Sequence, residues 1–88
     1  MNKATQQVGL FFRKYRVAAG LDERAVAEHL GLASIDAIKA YEAGEAEVPI
    51  TQVFALANLY DIPPDEIVAL FYELVHVLES KLKSETGS

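Results

Sequence analysis

The sequence predicts an all-α fold of five helices. Apolar residues recur at the three- and four-residue spacing of helices with one buried face. Gly20, Gly31, Gly44, Pro49 and Pro64 punctuate those stretches. No alternating run bounded by turn residues signals a strand, and no hairpin turn is present.

The first helix is expected from about Ala4 to Ala19. Val8, Phe12 and Tyr15 share its core face, and Gly20 supplies the stop. Leu10, Phe11 and Val17 lie off that stripe and are more apolar than a solvated face requires. The second helix begins at Asp22, whose carboxylate can cap the free N–H groups of the first turn. Leu21 and Val26 flank the cap as a hydrophobic staple. Val26, Ala27 and Leu30 form the buried face. Gly31 ends the helix, because a residue without Cβ enters the left-handed conformation at no steric cost.

The third helix is expected to start at Ser34 as its cap, to turn Ile38 and Tyr41 inward, and to stop near Gly44. A loop follows to Pro49. The fourth helix spans about Thr51 to Tyr60, with Phe54, Leu56, Ala57 and Tyr60 as core. The fifth opens at Pro64, which suits a first helical position, with Asp65 and Glu66 complementing the positive end of the helix dipole. It runs to about Lys83. Residues 1–83 read as one domain, and residues 84–88 as a small, polar, disordered tail.

Eighty-eight residues lie near the low end for a self-sufficient core. No cysteine is present, so neither a disulfide framework nor a Cys-based metal site supports the fold. No secretory leader or membrane-length apolar run is evident, which points to a cytoplasmic protein. The net charge is −5 and is unevenly spread. Residues 1–20 hold Lys3, Arg13, Lys14 and Arg16 and no acid. Residues 34–47 hold Asp36, Glu42, Glu45 and Glu47 against Lys39 alone. A protein that grips phosphates is usually basic on its contact face, so the third helix is an unusual place for that excess of acid.

The pattern Gly20-Leu21, Ala27, Leu30-Gly31, Ile38, Tyr41-Glu42-x-Gly44, Pro49, Ala57, Tyr60 and Ile62 resembles the phage repressor and Cro type of helix-turn-helix, the XRE family. The resemblance covers roughly residues 8–70. It implies a repressor-like bundle in which the second and third helices form the DNA-reading pair. It also implies that Arg16 and Glu42 form a mostly buried ion pair joining the first helix to the third. Stranding one charge of such a pair costs roughly 3–5 kcal/mol. By position, Ser34, Ile35, Asp36 and Ala40 would face base edges in the major groove. Arg24 and Lys39 are the nearby cations able to reach phosphates.

Those residues suit the role poorly. Base reading favours Arg or Lys for guanine and Asn or Gln for adenine. Aspartate can accept from cytosine, and isoleucine can touch a thymine methyl. Glu23 stands where the family often has Gln, and Glu45 and Glu47 occupy a loop that is often basic. Acids in place of cations reverse the favourable release of counterions. The turn between the second and third helices is also one residue longer than the commonest form, at Ala33.

The family's domain usually closes near the position of Leu70, yet here the last helix continues. Ile67, Leu70, Phe71, Leu74, Val77, Leu78 and Leu82 form one apolar stripe, which Val68, Tyr72 and Val75 widen. Leu74, Val75, Val77, Leu78 and Leu82 are expected to build a homodimer seam over about residues 64–83, with Leu10, Phe11 and Val17 as accessories. The alternative is that this helix folds back on the first. A membrane anchor is disfavoured by Glu73 and Glu79 and by the lack of a basic rim.

The histidines, His29 and His76, have no second ligand at helical spacing, so no metal is expected. No phosphate loop or nucleophile constellation points to an enzyme or a cofactor. Two functions stay open. One is a dimeric DNA-binding regulator of transcription. The other is a helix-turn-helix protein that has lost DNA binding and acts through a protein partner, as an adaptor or antitoxin-like chain.

Overall fold

The computed structural model describes residues 3–85, and of Leu78 and residues 80–85 the backbone alone. Five helices follow in order: α1 (Lys3–Ala18), α2 (Glu23–His29), α3 (Asp36–Ala43), α4 (Ile50–Leu59) and α5 (Pro64–Glu85). No strand occurs among the described residues. α1 packs on α3 and α5, and α2 on α3. Phe12, Val26 and Ile38 are the most enclosed large side chains, drawn from three different helices. Val53, Leu56, Tyr60, Ile62 and Ile67 complete the same cluster.

The helix ends follow from local chemistry. The Asp22 carboxylate accepts from the Ala25 N–H at 2.8 Å and caps α2. Gly31, at φ +72°, lets the Leu32 N–H return to the Ala27 carbonyl at 2.8 Å. Asp61 does the same work after α4 at φ 55°, and the Ile62 N–H reaches the Ala57 carbonyl at 2.9 Å. Aspartate is among the few residues that tolerate this conformation.

Three details depart from the sequence expectation. Ile35, not Ser34, occupies the cap position of α3, and Ser34 lies one residue earlier in the long turn. The Ser34 hydroxyl accepts from the Asp36 N–H at 3.3 Å, a turn contact rather than a cap. On α4 the buried residues are Val53 and Leu56, whereas Phe54 is 61% exposed. Val53, Leu56, Ala57 and Tyr60 follow the i, i+3, i+4, i+7 rule, and Phe54 sits about 100° away from Val53 around the helix. α5 runs to Glu85, two residues past the expected Lys83; the rest of the expected tail, residues 86–88, lies outside the described residues.

The tightest packing joins α1 to the end of α3. A Cβ at Gly9 would collide with the Tyr41 carbonyl oxygen and lie 2.9 Å from that of Glu42. A Cβ at Gly44 would lie 2.9 Å from the Cα of Gln6. Each backbone therefore lies where the other helix's side chain would have stood. Tyr41 then ties α3 to α4 by donating to Gln52 Oε1 at 2.7 Å. Phe11 meets Phe12 edge-on and Tyr15 at a tilt, with ring centroids 5.3 and 5.0 Å apart, and packs on the core as a half-buried residue.

Two outcomes test this packing. Gly9→Ala forces a methyl group into backbone that cannot swing aside. It should destabilise the fold by about 2–3 kcal/mol in urea titration, although alanine is the better helix former. The second concerns Tyr60. Burial, and then the Glu42 carboxylate, push its phenol up to about 12, against the pull of Arg16. A raised folded value stabilises the fold fully below the ordinary value near 10, and that contribution is lost as pH rises through 12. Tyr60→Phe should therefore lose less stability than the parent between pH 10 and 12.

Candidate nucleic-acid interface

The α2–α3 pair is positioned by one ion pair. Arg16, near the end of α1, donates from Nε to Glu42 Oε2 at 2.6 Å and from Nη2 to Glu42 Oε1 at 3.0 Å. Its remaining nitrogen, Nη1, donates to the Leu21 carbonyl at 2.9 Å. The planar fork thus grips α3 and the α1–α2 turn together. The side chains are 13% and 9% exposed, so solvent screens them little. The hydrogen bond to Glu42 raises the Arg16 pKa above its ordinary value, against the opposing effect of burial. The guanidinium is charged at every physiological pH.

The ion pair also removes one cation from the basic first segment and one acid from the acidic one. Arg13, Lys14 and Lys3 stay exposed on α1. Around α3 the exposed charges are Asp36, Glu45 and Glu47 against Lys39. The outer surface of this region remains acidic.

The expected interface residues differ in exposure. Arg24, Ser34, Asp36 and Lys39 are exposed, and Ala40 is half-buried. Ile35 is half-buried and packs against the core cluster, which limits what it can offer a base. The cause is the long turn, which places Ser34 and Ile35 ahead of the helix rather than on it. Asp36 becomes the first residue of α3, where its charge complements the helix dipole whatever else it does. Arg24, Ser34 and Ile35 line a shallow cleft of about 290 Å³ that also holds Glu28.

Among the described residues, no group of three or more His, Cys, Asp or Glu side chains is placed to hold a metal ion. None of the described helices is long and apolar enough to cross a membrane.

A protein family described as a helix-turn-helix domain matches residues 7–70. The chain belongs to this family. It is one of the XRE/Cro-type group, whose helix-turn-helix domains are in general those of DNA-binding regulators. No curated protein and no solved structure matches the chain. The family match ends at Leu70, so the last 15 residues of α5, 71–85, extend beyond the matched region.

Sequence reasoning missed Gly9, the residue that lets α1 approach α3. A glycine inside a strongly helical pattern was the available signal, since it costs about 1 kcal/mol relative to alanine unless packing demands it.

The ion pair is testable by a double-mutant cycle. Arg16→Ala and Glu42→Ala should each destabilise the fold by about 3–5 kcal/mol, because each strands a mostly buried charge. Arg16→Ala with Glu42→Ala should cost much less than the sum of the two single variants. Strict additivity would assign the two residues independent roles.

Proposed function

We propose that the chain is a transcription regulator that binds DNA as a homodimer, with α3 directed at the major groove. The observation that carries this reading is the family's α2–α3 pair, held on the bundle by Arg16 and Glu42 with the outer side of α3 open to solvent. Lys39 and Arg24 are the cations available to phosphates on this side. Ser34 and Asp36 are the polar groups available to base edges, and Asp36 is suited to a cytosine amino group. Ala40 and Ile35 offer apolar contact alone.

A second reading has its own support. Asp36, Glu45 and Glu47 are all exposed on or just after α3. That surface repels phosphate and attracts a basic protein face, as expected of a helix-turn-helix protein that works as an adaptor or antitoxin-like partner.

Salt-titrated retardation of genomic fragments separates the two readings. With Arg24 and Lys39 as the phosphate contacts of each protomer, a dimer should show a slope of log affinity against log salt of about −3.6. Lys39→Ala should make that slope shallower by about 1.8. Glu45→Gln with Glu47→Gln should tighten binding to every fragment alike. A parent chain that retards no fragment at about 50 mM salt overturns the DNA reading and favours the protein partner.

A further inference from the structure

The end of α4 departs from the rule that the chain follows elsewhere. Gly20, Gly31 and Gly44 take the left-handed conformation after α1, α2 and α3, whereas Asp61 takes it after α4, at φ 55°. Glycine would make the same turn without the steric cost of a Cβ. What aspartate adds is a carboxylate. Among the described residues, that carboxylate has no hydrogen bond and no ion pair.

Asp61 lines a groove of about 440 Å³ between α4 and α5. Phe54 of α4 and Phe71 of α5 line it too, with Ile67 and Val68, and Asn58 adds a neutral amide. Phe54, Val68 and Phe71 are exposed, so the groove is open to solvent. Its volume falls within the range of small-molecule sites, about 300–1,000 Å³, which are mostly apolar with a few polar groups. No base lines it. Between Lys39 and Lys81 the sequence holds no Lys or Arg, and Asp65 and Glu66 open α5. The charge at this groove is therefore negative and comes without an internal partner. Aromatic faces attract cations, and a carboxylate pairs with an ammonium N–H. An anion would be repelled by Asp61, and a purely apolar molecule would leave its carboxylate without a partner.

We propose that the α4–α5 groove binds a small lipophilic ammonium ion. Its apolar body lies between Phe54 and Phe71, and its charged nitrogen meets Asp61. A second copy of the chain is a poorer occupant, because α4 and the start of α5 offer no Lys or Arg to meet that carboxylate. The homodimer seam expected from sequence is a different surface. Leu74, Val75 and Val77 do not line this groove, and the side chains of Leu78 and Leu82 lie outside the described residues. The inference goes beyond both functional readings above and rests on neither.

Titration of the full chain, followed by its amide chemical shifts, tests the proposal with three probes of one shape and different charge. These are benzhydrylammonium, the neutral alcohol benzhydrol and the anion diphenylacetate. The ammonium should bind with a dissociation constant below about 1 mM. It should bind about five- to tenfold more tightly than the alcohol, the gain expected of one exposed ion pair with an aromatic contact. Diphenylacetate should bind more weakly than either. The shifts should centre on Phe54, Asn58, Asp61 and Val68, and signals around Val17, an exposed apolar site on α1, should stay in place. Asp61→Asn keeps a residue that tolerates the left-handed turn and should reduce the ammonium to the affinity of the alcohol. Val68→Lys, at a site already 52% exposed, places a base in the groove and should weaken the ammonium at least about tenfold. Equal binding of all three probes overturns the proposal, as do shifts that map away from the groove. A parent that sediments as a dimer, and that Val68→Lys splits, has a second copy in the groove and overturns it as well.

Discussion

The close approach of α1 to the C-terminal end of α3 is the constraint on which the rest of the molecule depends. Gly9 removes a side chain where the Tyr41 and Glu42 carbonyls pass, and Gly44 does the same where α3 meets Gln6. Contact at that distance fixes where the two backbones touch but not how α3 is oriented. The Arg16–Glu42 fork supplies the orientation, since two parallel hydrogen bonds resist rotation as well as separation. The third nitrogen of Arg16, on the Leu21 carbonyl, carries that restraint into the start of α2. One side chain thereby sets both helices of the helix-turn-helix pair relative to the bundle.

The same ion pair shapes the electrostatics. It takes one basic residue of α1 out of solvent. What α3 then presents is Lys39 among Asp36, Glu45 and Glu47. Asp36 has a structural reason to be acidic, because it opens α3 and meets the positive end of the helix dipole. Glu45 and Glu47 sit after the helix, where no such reason applies. They are the residues that weigh against strong phosphate contact, and they set the balance between the two functional readings.

Much of the fold was legible in the sequence, because caps and stops act locally. Asp22, Gly31, Gly44 and Pro64 mark helix ends through chemistry confined to one turn of chain, and each lies at or next to a helix end in the structure. Distant packing was less legible. Val53 and Phe54 are adjacent and both apolar, so periodicity over a short helix could not decide which one enters the core. Asp61 in the left-handed region has no counterpart in composition alone. The candidate site was legible as a position but not as a surface. Its long turn was visible at Ala33, but its effect was not. That turn sets Ser34 and Ile35 ahead of α3 and lets Ile35 pack on the core.

α5 gives α1 a second neighbour. On one flank α1 meets α3 through Gly9 and Arg16, and on the other it meets α5 near Leu70. The inner side of α5 and the helix-turn-helix pair therefore share a single wall. A small domain has few independent layers, so a helix between two functional surfaces cannot shift against one without disturbing the other. Phe12, at 1% exposed, sits in that wall and touches the cavity beside Leu70 and Phe71. Covering the outer stripe of α5 would stiffen the helix that α1 leans on, and α1 in turn holds α3. The outer stripe of α5 and the placement of α3 are thus joined through the packing of α1.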